Sequence, residues 1–259
     1  MTASVRAPLS PAFLMRPVAH RALHDRSQGR IENSPAAIGA AVDAGYAIEI
    51  DVQLSSDGVA MVFHDDDLDR LTHASGRVNT QTAAQLSGLV LKDSTETIPT
   101  LSKVLEMVAG KVPLLIELKD QTLILGPSDG ALEQATAAAL DGYSGPVAVM
   151  SFNPDMMAHM ARLAPKVPRG LTTSSYDPAD WHPVPADTCA RLREIPDYDA
   201  VGATFISHQG DDLTRPRVAE LKAAGAVILC WTIRTPHEEA LVRKWADNIT
   251  FEGYLSPIA

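Results

Sequence analysis

The chain has 259 residues, 46% of them hydrophobic, and a formal net charge of -10. That length suits one sizeable core, because α/β barrels of roughly 250 residues form a single unit. The acidic balance, with no cluster of Lys and Arg, argues against a nucleic-acid partner and leaves open a metal or a small anion held in a local pocket.

Residues 1–15 are broken by prolines before any apolar run can form; they make a poor secretory signal and read as a flexible arm ahead of a single domain, 16–259. From residue 16 onward, β-branched apolar runs alternate with alanine- and leucine-rich segments, the sign of βα units and a parallel sheet. Strands are expected at 16–20, 47–54, 59–64, 112–119, 146–152, 167–173, 200–207, 226–233 and 248–254. Helices are expected at 34–45, 100–110, 130–142, 153–164, 215–225 and 236–247, the first with Ser34 as N-cap and Pro35 at its first position. Gly45, Gly110, Gly142 and Gly225 fall where helices should stop. Nine strands exceed an eight-stranded barrel by one. The second and third are separated only by SSDG, too short for a crossover, so one return strand is extra or antiparallel. Residues 174–199 are long and proline-rich, and read as a loop insertion over one face. No run approaches the roughly 18 apolar residues of a membrane span, and Cys189 and Cys230 are too few for a disulfide framework. The expectation is a cytoplasmic protein with reduced thiols and no integral membrane contact.

The stretch AIEIDVQLSSDGVAMVFHDDDL, 47–68, sets two carboxylates inside an apolar strand. Strand side chains alternate, so Glu49 and Asp51 share one face and Ile48 and Ile50 the other. Like charges that close in a partly dry interior are costly unless a cation lies between them or one carboxylate is protonated. If Ser55 and Gly58 close the turn, Leu54 faces Val59 and Glu49 falls opposite His64, which then projects beside the acids. A structural salt-bridge pair would explain one buried acid. Two other strands, however, finish the same way: PLLIELKD places Glu117 and Lys119 on one face, and RPVAHRALHD ends on His20 and Arg21. Ionisable residues at strand ends are where parallel barrels build active sites. Three carboxylates without cysteine suit a hard divalent cation, Mg²⁺ or Ca²⁺, the two cations want an anion, and the histidines a proton transfer. Together these point to hydrolysis of a small-molecule phosphate ester.

The segments VAHRA, IENSP, IEIDVQLSSDGVAMVFHDDDLDRLTHASG, IPTLSKVLEMV, LLIELK, VMSF and ILCWTI resemble, in order and spacing, the glycerophosphodiester phosphodiesterase family. The resemblance covers nearly the whole chain and implies a distorted (β/α)8 TIM barrel with a β-hairpin after strand 2. It implies metal-dependent hydrolysis of glycerophosphodiesters to glycerol 3-phosphate and an alcohol. It puts the catalytic histidines on His20 and His64, the metal carboxylates on Glu49, Asp51 and Glu117, the phosphate-contacting cations on Arg21 and Lys119, and an aromatic at the mouth on Trp231. Ala22 stands where the family usually has glycine, IENSP replaces Pro-Glu-Asn-Thr, and the ending lacks Thr-Asp-x-Pro. The alternatives are a related phosphodiesterase acting on lysophospholipid or sugar phosphodiesters, or a barrel that binds such diesters without turnover.

Other residues weigh less. Asp65, Asp66 and Asp67 read as a solvated loop, with support of His64 as the alternative, His208 as exposed rather than lining the mouth, and Met156, Met157 and Met160 as gap-filling core on one helix. His24, Asp25, Glu32 and Asn33, after the first strand, could touch substrate or cap the next helix. Ser151 lacks a nucleophile elbow.

Overall fold

The computed structural model describes residues 6–258. Eight parallel strands close on themselves: β1 (Val18–Ala19), β2 (Ala47–Leu54), β4 (Leu114–Leu118), β5 (Val147–Ser151), β6 (Arg169–Thr173), β7 (Phe205–Gln209), β8 (Val227–Ile233) and β9 (Asn248–Phe251). Closure is set where Val18 of β1 pairs with Ala47 on one side and Thr250 on the other. The odd strand, β3 (Ala60–Val62), runs antiparallel to β2. Crossovers are made by α2 (Pro35–Ala44), α4 (Leu101–Val108), α5 (Ala131–Leu140), α6 (Pro154–Leu163), α7 (Ala186–Arg193), α8 (Pro216–Ala223) and α9 (Pro236–Val242). Two short helices, α1 (Ala12–Met15) and α3 (Ala83–Ser87), lie outside that repeat. The chain is thus a (β/α)8 TIM barrel with a hairpin after its second strand. Local signals set the helix ends: Ser34 Oγ accepts from Ala37 N with Pro35 next to it, and Gly45 ends α2 with φ 80°. None of the helices among the described residues is long and apolar enough to cross a membrane.

The two-residue period of the strands builds the site directly upon an apolar floor. Val18, Ala47, Leu115, Ala148, Phe205 and Leu229 form the cluster inside the barrel. Two residues further along the same strands come His20, Glu49, Glu117, Met150, Ser207 and Trp231, which line a cavity at the C-terminal end. One step therefore converts a packed interior into a polar chamber. The outward face alternates with it: Ile48, Ile50, Val52, Leu114 and Ile116 pack under the helices, together with Met156, Met157 and Met160 of α6.

Three expectations are corrected. The presumed arm is anchored in its described part: Phe13 of α1 is fully buried in the floor cluster, and Asn248 Nδ2 donates to the carbonyls of Phe13 and Arg16. A single aromatic in a proline-rich segment gives no periodicity from which this could be read; residues 1–5 lie outside the described part. Residues 174–199 are not wholly an insertion, because they contain α7, the crossover from β6 to β7. Only Cys189 and Leu192 of that helix are buried, too few apolar positions to show a helical stripe, and Pro183 and Pro185 precede it. Finally, the hairpin register is one residue off: Leu54 pairs with Ala60, not Val59, because Ser55 N bonds across a longer turn to the carbonyl of Val59. Met61 and Phe63 accordingly join a separate small core with Ile31, Leu68, Leu71 and Leu86, a lobe between β3 and α4 that caps one side of the barrel mouth.

Removing the floor plug tests the first correction. Phe13→Ala should lower unfolding free energy by about 3–5 kcal/mol in urea titrations. A loss below about 1 kcal/mol would return the segment to a loose arm.

Candidate active site

All eight residues singled out by sequence, His20, Arg21, Glu49, Asp51, His64, Glu117, Lys119 and Trp231, line one cavity of about 160 Å³. Asp51 and Glu117 are register partners on adjacent strands, and their carboxylates meet that of Glu49 within 4.8 Å. All three acids are buried. Lys119 Nζ lies 2.8 Å from Glu117 Oε1 and 3.6 Å from Asp51 Oδ1. Arg21 Nε lies 3.8 Å from Asp51 Oδ2 and, though buried, has no hydrogen-bond acceptor. Glu49 forms no ion pair among the described residues; its Oε2 accepts only the backbone N–H of Arg21, at 2.8 Å.

Charge follows from these distances. Burial, then the negative neighbours Asp51 and Glu117, push the Glu49 carboxyl well above the ordinary range. Burial acts on Asp51 in the same sense, but His64, Lys119 and Arg21 outweigh it and hold that carboxyl low. Burial opposes the charge of Lys119, yet Glu117 and Asp51 raise its pKa and keep an ammonium. Three carboxylates face two cations, and Glu49 is the one left over. A cluster of oxygen donors short of positive charge fits a hard divalent ion.

Each histidine is held by a carboxylate at Nδ1. His20 Nδ1 lies 2.6 Å from Glu252 Oε2, and His64 Nδ1 lies 2.7 Å from Asp65 Oδ1. The hydrogen bond with His20 is the main cause holding Glu252 down to about 2. His64 Nε2 faces Lys119 Nζ at 3.3 Å. Behind them, Arg70 forks onto Asp65 and Glu32 at once, and Glu32 accepts from Arg21 at 2.7 Å. Burial alone would raise Glu32, but Arg70 and Arg21 hold it down to about 2.

His64 reaches the site although its predicted pairing with Glu49 does not form; the ladder ends before it and the chain turns it inward. Asp65 follows the lesser of its two readings and is the partner of His64 rather than part of a solvated loop. His208, read as exposed, is fully buried outside the cavity, with Thr173 Oγ1 at 2.8 Å and Asp212 Oδ2 at 3.3 Å. Burial lowers its pKa against the pull of Asp212. Sequence left Glu32 and Asn33 undecided, and the fold gives both a place: Asn33 Nδ2 donates to Asp51 Oδ2 at 2.9 Å. Glu252 and Arg70 were missed. Glu252 immediately follows β9, as His20 follows β1, and those strands are neighbours only once the barrel closes.

The loop after β1 holds three non-glycine residues in the left-handed region: Arg21 (φ 51°), Ala22 (φ 65°) and Asn33 (φ 59°). Such strain gathers where geometry is imposed by function. It also explains why glycine suits position 22, and Ala22→Gly should raise stability by about 0.5–1 kcal/mol in chemical denaturation, the relief of a left-handed Cβ exceeding the entropy glycine loses. A second expectation concerns pH. Because Glu49 titrates above its unfolded value of about 4.3, the folded chain holds a proton there that the unfolded chain has lost. With chelator present, stability should therefore fall as pH rises from that value, relative to Glu49→Gln, and a divalent ion should offset the fall by displacing the proton. A wild-type minus variant difference that is flat from pH 5 to 8 would contradict it.

Comparison with known proteins agrees with this geometry. A profile of the glycerophosphoryl diester phosphodiesterase family matches residues 20–249. YhdW of Bacillus subtilis, provisionally assigned as a glycerophosphodiester phosphodiesterase, is 33% identical over 211 residues, covering 78% of this chain and 80% of that one. A glycerophosphodiester phosphodiesterase of Caldanaerobacter subterraneus is 32% identical over 64% of this chain and 69% of its own. Among solved structures, an Oleispira antarctica phosphodiesterase in complex with the product sn-glycerol-3-phosphate superposes with a TM-score of 0.74 at 25% identity, over 93% of this chain and 94% of that one. The chain belongs to the glycerophosphoryl diester phosphodiesterase family.

Proposed function

We propose that the protein hydrolyses glycerophosphodiesters to glycerol 3-phosphate and an alcohol, with a divalent cation, Mg²⁺ or Ca²⁺, held by Glu49, Asp51 and Glu117. The observation that carries this reading is the unpaired Glu49 carboxylate among three acids on one cavity. The product seen with the Oleispira antarctica relative supports the substrate class. Bound there, the ion would act as a Lewis acid toward the phosphate.

The chain's own residues supply the rest. Lys119 is a fixed positive charge beside the acids, and Arg21 has a buried Nε–H with no acceptor, so both can stabilise charge on non-bridging phosphate oxygens. In this reading His64 accepts a proton at Nε2 from the attacking oxygen, a role supported by its Nδ1 on Asp65 and its Nε2 facing an ammonium. His20, with Nδ1 on Glu252, keeps Nε2 to deliver a proton to the leaving alcohol. Trp231 is fixed by its Nε1 donating to the carbonyl of Ser207 at 3.0 Å, and presents its ring to the chamber. We place the protein in the cytoplasm, since Cys189 and Cys230 are both buried free thiols.

A second reading, lysophospholipid turnover, is favoured by a cavity of about 460 Å³ beside Trp231, bordered by Ile233, Leu241 and Val242. Comparing glycerophosphocholine with lysophosphatidylcholine separates the two. Chelation should abolish activity, and Mg²⁺ or Ca²⁺ should restore it. His20→Ala and His64→Ala should each lower kcat by about 10²–10⁴-fold. Undiminished turnover in either variant, or in chelator, would remove the corresponding step.

A further inference from the structure

A second cavity, of about 380 Å³, opens beside the acid-lined chamber. Its walls come mostly from the loops after β4 and β6, with Asp66 after β3 and Phe152 after β5, and it shares Glu117, Lys119 and Phe152 with the chamber, so the two adjoin. A diester whose phosphate lies near Lys119 can therefore extend one substituent past Phe152 into this space.

The walls combine aromatic surface with uncancelled negative charge. Phe152 and Trp181 stand with centroids 4.9 Å apart at 63°, forming a corner. Tyr176, buried behind, props Trp181 at 4.7 Å, and Trp231 meets Phe152 edge-on at 5.6 Å. Asp66, Asp120 and Asp180 also line the space, and none has an ion-pair partner among the described residues. Asp120 is fixed in place by neutral donors: Thr122 Oγ1, Leu125 N and Asn153 Nδ2. The fixed cation on this lining, Lys119, is already engaged by Glu117 and Asp51, and His182 lies at the exposed rim.

We infer that this cavity is the subsite for the leaving alcohol and selects one bearing an ammonium or trimethylammonium group. An alkylammonium is the head group that gains from both wall types at once, its charge from the carboxylates and ring faces and its methyl or methylene surface from Leu123, Leu125 and Trp181. A polyol can bond to the carboxylates but gains little from the rings, and an anionic head group is repelled. The selectivity is a property of the connections that follow the strands rather than of the barrel, as expected when binding groups are carried on βα connections.

This inference rests on the diester-hydrolase reading and is tested so that the two can fail separately. With divalent ion present, kcat/KM is measured on glycerophosphocholine, glycerophosphoethanolamine and glycerophosphoglycerol for the wild type, Trp181→Ala, Trp181→Phe and Asp180→Asn. The two cationic diesters should exceed the glycerol diester by about tenfold. Trp181→Ala should remove most of that ratio, mainly through KM, and Trp181→Phe should restore part of it. Equal kcat/KM on all three, or a Trp181→Ala loss that is the same for all three, overturns the subsite and leaves the hydrolase standing. Turnover of none defeats the hydrolase reading; calorimetric binding then decides the subsite, which holds if glycerophosphocholine binds more tightly than glycerophosphoglycerol in the wild type but not in Trp181→Ala, and fails otherwise.

Discussion

Mutual repulsion among Glu49, Asp51 and Glu117 is the constraint around which the mouth of this barrel is organised. Three carboxylates from two adjacent strands converge in a space that water barely reaches, and each neighbour can be understood as a response to that crowding. Lys119 and Arg21 stand on either side of Asp51, Asn33 donates to it, and the backbone N–H of Arg21 turns toward Glu49. The left-handed conformations of Arg21, Ala22 and Asn33 belong to the same account. The loop must fold tightly enough to bring both a backbone N–H and two side chains onto acids that β2 presents, and at Arg21, Ala22 and Asn33 it does so with residues other than glycine.

The position of this cluster is dictated by strand periodicity. An apolar floor at Ala47, Leu115 and Leu229 is followed two residues later by Glu49, Glu117 and Trp231, so the floor fixes the depth at which the polar groups lie. The floor is itself completed from outside the repeat by Phe13. Packing below and chemistry above are two readings of the same strands, separated by one period.

Much of this was legible in the sequence, because it follows from local rules. Alternation within 47–54 puts Glu49 and Asp51 on one face whatever the rest of the chain does, and SSDG leaves no room for anything but a return strand. Ser34 with Pro35, and Gly45 at the end of the same helix, mark their helix from either end. What stayed hidden depended on contacts between distant segments. Glu252 meets His20 only because β9 closes onto β1, 232 positions apart in sequence. Arg70 reads as an ordinary surface charge until the lobe folds over the mouth. α7 shows two apolar anchors between prolines, below what a periodic pattern can reveal. The hairpin register slipped by one for another reason: the turn takes a hydrogen bond from Ser55 N to Val59 that a two-ended reading of SSDG does not contain.

The lobe between β3 and α4 has its own small core and reaches the barrel mouth through Arg70, which grips Asp65 and Glu32 together. One guanidinium thus links the partner of His64 to the partner of Arg21. Loosening of that peripheral lobe, even with the barrel intact, would free His64 and Arg21 from their carboxylate partners in the same event. The geometry of the chamber is therefore tied to the cohesion of one of the smallest folded parts of the molecule.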